Sequence, residues 1–325
     1  MQDNFERTID YMRISVTDRC NLRCIYCMPA EGVKPIEHKS ILRYEEIIRI
    51  VSVAAGLGVR KIRLTGGEPL TRRNLAFLVS AVSGVEGIED VSLTTNGLLL
   101  GELAPRLAEA GLKRVNVSLD SLRPERYREL TRGGDLAAVL EGIRTAEAAG
   151  LVPIKLNMVP VRGFNDDEIE AFAHLTMTTS FHVRFIEFMP IGGRDLWSED
   201  RCITADEIRQ RVSTLGPLTP VRARKCGPAR YYRFENAPGV VGFISPLTHH
   251  FCDNCNRLRL TADGKIRPCL FSETEIDIRS ALRSGASDDE IVRLLRLAIE
   301  IKPRGHTITS GERPAPLKPM SRIGG

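Results

Sequence analysis

Six of the eight cysteines in this 325-residue chain fall into two triplets. Cys20, Cys24 and Cys27 have the spacing C-x3-C-x2-C within CNLRCIYCMP. Cys252, Cys255 and Cys269 are spaced C-x2-C-x13-C within FCDNCNRLRLTADGKIRPC. A structural zinc site takes four protein ligands, usually as two close pairs, and each triplet brings only three. One reading combines leftover thiols into zinc sites. The other gives each triplet a [4Fe–4S] cluster, which normally has four cysteine ligands. With three, one iron keeps an open position for a cofactor or substrate. Cys202 and Cys226 lie outside both triplets and read as ordinary cysteines, since a free thiol commonly packs as a small hydrophobe.

Thiol chemistry of this kind fits a reducing compartment, where cysteines serve as ligands rather than disulfides. The start, MQDNFERTIDYMRIS, has no apolar signal-peptide core. No apolar run approaches the roughly 18 residues of a membrane helix. A cytoplasmic location is the expectation. Apolar residues make up 42% and charged residues 27%, an ordinary balance for a globular chain. The net charge of +5 demands no nucleic acid but suits a small polyanionic substrate.

The elements that must position these cysteines alternate between strand and helix patterns. Strands are expected near Met12–Val16, Lys61–Thr65, Asp90–Thr94, Arg114–Leu119, Ile154–Val159 and Val183–Phe188. Helices are expected over Tyr44–Leu57, Leu75–Val82, Leu98–Ala110 and Leu136–Ala149, the last stopped by Gly150. NDDE at Asn165–Glu168 and TADE at Thr204–Glu207 open two more, and SDDE at Ser287–Glu290 opens a later one. Six βα units in series argue for a parallel α/β fold, and are too few for the usual eight-stranded closed barrel. An open partial barrel and a doubly wound sheet both fit the pattern. Strand parity puts Lys61, Arg63 and Thr65 on one face, and sets Lys155 and Asn157 opposite Ile154, Leu156 and Met158. Charged residues on otherwise buried strands need partners, so a solvated edge, an ion pair with a nearby carboxylate and an anion-holding cavity are all open. Several such strands together favour the cavity. Beyond residue 215 prolines, glycines and basic residues crowd the chain. A division into 1–215 and 216–325 is therefore expected, with helices near Ile276–Ser284 and Asp288–Ile299.

C-x3-C-x2-C with Tyr26 before its last cysteine resembles the signature of the radical S-adenosylmethionine (SAM) enzymes. RLTGGEP at Arg63–Pro69 resembles that superfamily's loop for the SAM amino group. RISVTDRCNLRCIYCMP, IRLTGGEPL, LTTNG, VNVSLD, FIEFMP, CNRLRLTADGKIRPCL and the terminal MSRIGG then follow in order. Together they are similar to the GTP 3′,8-cyclase family of molybdenum cofactor biosynthesis, over nearly the whole chain. The resemblance implies a partial six-stranded βα barrel, TIM-like and open, with a C-terminal domain that carries a second iron–sulfur cluster and covers the lateral opening. It implies two [4Fe–4S] clusters and SAM as cofactors. A 5′-deoxyadenosyl radical would remove the C3′ hydrogen of GTP, and the carbon radical would attack C8 to give 3′,8-cyclo-7,8-dihydro-GTP.

Residue by residue, Cys20, Cys24 and Cys27 would hold the SAM cluster, and Cys252, Cys255 and Cys269 the GTP cluster. Tyr26, Gly67, Ser118 and Met189 match SAM-contact positions. Arg13, Arg63, Thr94, Lys155, Arg257 and Arg259 match GTP-contact positions. Gly324 and Gly325 match a tail that reaches the active site. The implied partners are GTP, a flavodoxin- or ferredoxin-like one-electron donor, a downstream cyclic pyranopterin monophosphate synthase and a second copy in a homodimer, with no nucleic acid and no membrane. Two rivals stand beside this reading. Peptide-modifying two-cluster radical SAM enzymes carry longer C-terminal cysteine sets. A non-catalytic zinc or iron–sulfur protein would leave GGEP and the polar strand faces unexplained, and metal content would distinguish it.

Overall fold

The computed structural model describes residues 1–191, 197–221, 227–306, 308 and 319–323. Gly324, Gly325 and Cys226 lie outside the described residues. In chain order the first elements are β1 (Tyr11–Ser15), α1 (Tyr44–Gly56), β2 (Lys61–Thr65), α2 (Leu75–Ser83), β3 (Asp90–Thr95) and α3 (Leu100–Glu109). There follow β4 (Arg114–Ser118), α4 (Pro124–Thr131), α5 (Leu136–Ala148), β5 (Lys155–Met158), α6 (Ile169–Thr178), β6 (His182–Ile186) and α7 (Ala205–Ser213). The C-terminal part adds β7 (Leu218–Val221), β8 (Ala229–Phe234), β9 (Val240–Ile244), β10 (Arg257–Leu260), β11 (Lys265–Arg267) and β12 (Ile276–Asp277). It ends in α8 (Ile278–Arg283), α9 (Asp288–Glu300) and α10 (Met320–Ile323).

Local chemistry explains the helices. In α1 the face Ile47, Ile50, Val51, Ala54 and Ala55 is buried, and Glu46 reaches back 2.6 Å to the Arg43 N–H as in a capping box. Thr204 caps α7 through the Glu207 N–H at 3.2 Å, and Ser287 caps α9 through Glu290 at 3.3 Å. Gly150 adopts φ 79°, a left-handed stop that costs glycine little. The helix expected from Ile276 starts at Ile278 instead. Ile276 and Asp277 pair with β11, and Asp277 then caps α8 at the Ser280 N–H, 2.9 Å away.

Strands β1 to β6 are parallel neighbours in sequence order, so the six βα units form as expected. The C-terminal segment extends the same sheet at both edges. β9 pairs parallel with β6, and β10 pairs parallel with β1. Eight consecutive strands are thus parallel, and antiparallel β8–β7 and β11–β12 flank them. In a flat sheet β1 and β6 would lie about 24 Å apart, at about 4.8 Å per strand. Tyr11 on β1 and Arg184 on β6 are nevertheless electrostatic neighbours. The sheet therefore curls, with helices outside and a polar concave face inside. The outer surface of the strands packs on the helices through Met12, Ile14, Ile62, Leu64, Val115, Val117, Leu156 and Val183, all at most 1% exposed.

Candidate active site

The first triplet leaves the C-terminal end of β1. Residues 66–68 run beside the approach to it: the Gly67 N–H donates to the Thr17 carbonyl at 2.8 Å, and the Glu68 N–H to the Arg19 carbonyl at 2.7 Å. A Cβ on Gly67 would meet the Arg19 carbonyl oxygen at 2.4 Å. Glycine is thus required for close approach to the chain's own loop, in addition to any ligand. Arg23 donates to the Cys20 carbonyl at 2.7 Å. The Tyr26 hydroxyl donates to Asp120 at 2.5 Å, and Asp120 also accepts the Val159 N–H at 2.8 Å. Asn165 holds the Asp120 carbonyl at 2.8 Å.

Two buried carboxylates stand behind this loop, and neither was singled out from sequence. Glu68 accepts from the Asn96 N–H at 2.7 Å, the Leu70 N–H at 3.0 Å and the Thr95 hydroxyl at 2.8 Å. Asn96 in turn contacts Asn21 at 2.8 Å and the Cys20 sulfur at 3.9 Å. Burial raises Glu68 to about 7 and Asp120 to about 6 against these hydrogen bonds. The Glu of GGEP was the legible signal for Glu68. Ser118 ends β4 and Met189 follows β6, both half-buried at the same C-terminal end of the barrel as the triplet.

The second triplet lies at the other end. The chain leaves β9 at its C-terminal end and must enter β10 at its N-terminal end, because both strands run parallel to their barrel neighbours. Residues 245–256 therefore cross the gap between the two edges along its length. Cys252 and Cys255 ride on this strap, and Cys255 precedes β10 by two residues. β11 returns antiparallel, pairing Arg267 with Arg259, so Cys269 comes back to the same end. Two cations pin the arrangement. Arg7 donates to the carbonyls of Cys252 at 2.8 Å, Arg304 at 2.7 Å and Pro303 at 2.7 Å, and pairs with Asp3 at 2.6 Å. Lys302 donates to the carbonyls of Arg257 at 2.9 Å and Pro268 at 2.7 Å. Neither Arg7 nor Lys302 carried a sequence signal.

Between the two ends runs a cationic row. Strand register aligns Arg259, Arg13, Arg63 and Ser92 across β10, β1, β2 and β3. Asn116, Lys155 and His182 align across β4, β5 and β6. With its carbonyl turned inward, Asn116 accepts from Arg184 at 3.0 Å and from Arg63. Burial and the neighbouring Arg184, Arg114 and Arg63 lower Lys155 to about 7. Burial and Arg259 push Arg13 well below its ordinary value. Burial would raise Tyr11, but Arg63, Arg13, Arg257 and Arg184 bring it below its ordinary value. The Tyr11 hydroxyl, Arg13 Nε, Arg184 Nε, Thr94 Oγ1 and His182 Nδ1 are buried without hydrogen-bond partners. Unpaired buried donors beside several cations fit an anion that supplies many acceptors. The structure therefore brings together Arg13, Arg63, Lys155, Arg257 and Arg259, with Thr94 on β3 alongside.

The donor sets fit iron–sulfur clusters. All the described cysteines are free thiols. Cys20, Cys24 and Cys27 are mutual electrostatic neighbours. Burial, then Cys27, Asp120 and Cys20, push the Cys24 thiol well up, and burial and Cys20 push Cys27 up to about 12. Thiolates there need a bound cation for compensation. Cys252, Cys255 and Cys269 are likewise neighbours. Cys202 sits half-buried against the Phe188 carbonyl at 3.5 Å, on the small apolar cluster of Val161, Phe188 and Trp197 that Tyr26 also packs against.

Residues 14–176 match the radical SAM superfamily, and residues 181–308 match the family described as Molybdenum Cofactor Synthesis C. The GTP 3′,8-cyclase of Pelotomaculum thermopropionicum is 56% identical over 100% of both chains. That of Thermodesulfovibrio yellowstonii is 52% identical, again over the full length of each. The chain belongs to the GTP 3′,8-cyclase family. As a member of that family it is a radical SAM enzyme of molybdenum cofactor biosynthesis, with a [4Fe–4S] cluster and SAM as its cofactors. In fold it resembles Streptococcus suis SuiB bound to S-adenosylmethionine, with a TM-score of 0.59 at 16% identity. That match covers 83% of this chain and 63% of SuiB and speaks to the fold alone. Among the described residues, no helix is long and apolar enough to cross a membrane.

Proposed function

We propose that this chain converts GTP to 3′,8-cyclo-7,8-dihydro-GTP inside the curled sheet, with SAM at one end and a second [4Fe–4S] cluster at the other. The observation that carries the reading is the cationic row between the two cysteine triplets. Cys20, Cys24 and Cys27 hold the first cluster, and Tyr26, Gly67, Ser118 and Met189 line the SAM position. Together, the first cluster and SAM supply a 5′-deoxyadenosyl radical, the hydrogen-abstracting agent. Cys252, Cys255 and Cys269 would hold the second cluster, which would supply an open iron position for the guanine. Arg13, Arg63, Lys155, Arg257 and Arg259 hold the triphosphate and ribose, since arginine forks match phosphate oxygens. Thr94 donates to the same substrate. The strap over 245–256 keeps water from the lateral gap. Gly324 and Gly325 are proposed to complete the site from the tail.

In this reading residues 1–215 form the SAM barrel and residues 216–325 the GTP-binding part. The electron donor is a flavodoxin- or ferredoxin-like protein, the product passes to a cyclic pyranopterin monophosphate synthase, and the enzyme works as a cytoplasmic homodimer. The test is anaerobic turnover of protein reconstituted with iron and sulfide, given dithionite, SAM and GTP. Deoxyadenosine and a cyclised GTP should appear together. Deoxyadenosine alone would reject GTP as substrate. Neither, from protein carrying about eight irons for two four-iron clusters, would reject the radical chemistry.

A further inference from the structure

One cluster of ligand-type side chains is not absorbed by this function. Ligand atoms of His250, Cys252 and His306 all lie within 4.8 Å of one another. In a tetrahedral zinc site with Zn–S of about 2.3 Å and Zn–N of about 2.0 Å, neighbouring ligand atoms are about 3.3–3.6 Å apart. Side-chain closure of about an ångström and a half would suffice. Three ligand atoms this close together can share one ion, whereas ligands of one cluster sit on different irons.

The histidines are prepared for a metal. His250 Nε2–H donates to the Leu247 carbonyl at 3.1 Å, which leaves the Nδ1 lone pair available. A second partner that fixes the tautomer is the usual companion of a metal-bound histidine. His306 Nδ1 is buried with no hydrogen-bond partner, and its ring packs between His250 and Phe271, each 4.3 Å away between centroids. Arg7 ties the Cys252 and Arg304 carbonyls to one guanidinium nitrogen, holding the His306 segment against Cys252. A Cβ on Gly305 would lie 3.6 Å from the Cys252 sulfur, so the two backbones already approach closely.

We propose that His250, Cys252 and His306 form a binding site for one zinc ion, and that this ion and the second cluster exclude each other because both need Cys252. The exclusion rests on the reading of Cys252 as a cluster ligand; the zinc site does not. Binding releases the Cys252 thiol proton to solvent, and water fills the fourth zinc position. High zinc would thereby hold the enzyme in a form that binds SAM but cannot seat its substrate.

The test uses the full chain isolated anaerobically without clusters, with cobalt(II) as the optical probe and zinc(II) as competitor. One cobalt per chain should give tetrahedral bands and a thiolate charge-transfer band, both removed by one equivalent of zinc. His250 is exposed, so His250→Ala leaves the fold intact. It should weaken zinc binding at least about tenfold, the least that loss of a ligand's hydrogen-bond partner costs. Cys252→Ser should lose the charge-transfer band, and Cys269→Ser should keep the full spectrum. A spectrum unchanged in His250→Ala overturns the site, and so does loss in Cys269→Ser, which would put the ion on the cysteine triplet. For the exclusion, reconstitution with one equivalent of zinc should stop at about four irons per chain in the wild type and reach about eight in His250→Ala. Wild type reaching eight with zinc retained overturns the exclusion. Wild type stopping at four without zinc would remove the second cluster, and the exclusion with it, while the cobalt result would still carry the zinc site.

Discussion

The two cysteine triplets sit in opposite electrostatic surroundings. The first is backed by the buried carboxyls Glu68 and Asp120, and burial drives Cys24 and Cys27 toward the protonated thiol. The second is ringed by cations. Burial would raise Cys255, but Arg257, Lys302 and Arg259 bring it down to about 7. At neutral pH Cys255 thus offers a ready thiolate, although burial raises its neighbour Cys252, while the first site must wait for metal to displace its protons. Net charge and hydrogen bonding around a cluster also set its potential. A cluster held at the cationic end, as proposed, would therefore favour its reduced form more than one at the carboxyl-backed end. One motif type has been given two different settings, by Glu68 and Asp120 at the first triplet and by Arg257, Lys302 and Arg259 at the second.

The sharpest way to break this contrast is to remove one thiol from each end. Cys24→Ala should reduce SAM cleavage to the uncatalysed background. Cys255→Ala should abolish the cyclised product yet leave some deoxyadenosine formation, measured by chromatography of quenched reactions. Equal loss of both products in both variants would erase the functional difference between the ends. Next in size is Lys302→Met, which strands the Arg257 and Pro268 carbonyls. It should cost about 1–3 kcal/mol for each buried acceptor left unpaired, read from denaturant midpoints, and should lower iron retention only at the second site.

A smaller effect is expected from Lys155, which lies between the ends. In the free protein it loses its proton near pH 7, and a polyanion favours its charged form. Below pH 7 the cation is already present and binding needs no proton. Above pH 7 binding must take one up, so GTP affinity should fall by up to about tenfold per pH unit. Calorimetry across pH 6–9 would show this slope, and Lys155→Met should flatten it. The smallest change is Arg257→Gln. It should raise the Cys255 pKa by about one unit, the typical size of one neighbouring charge's effect, seen as a shifted pH profile of iodoacetamide labelling in cluster-free protein.

The six barrel strands were legible because each pairs a short β-type run with an amphipathic helix. Lys61, Arg63, Lys155 and Asn157 were legible as one face by parity alone. The edge strands β9 and β10 were not, because nothing local tells Val240–Ile244 that it will lie beside β6 or Arg257–Leu260 that it will lie beside β1. The same holds for Lys302 and Arg7, whose roles consist wholly of distant carbonyls. Gly67 was legible as a close-approach glycine, but not that the approaching partner is the Arg19 backbone. Glu68 stood inside a quoted motif, yet only the fold reveals that it is buried and anchors Asn96.

The pairing of β1 with β10 sets a schedule for synthesis. Asp10 and Asn256 hydrogen-bond at 2.5 Å across 246 residues of sequence. At about 5–20 residues per second, the partner of the first strand leaves the ribosome roughly ten to fifty seconds after the strand itself. Through that interval Tyr11–Ser15 has a bare edge, and bare edges recruit other chains. Arg13, central in that strand, carries a charge that discourages such pairing long before any nucleotide is present to meet it.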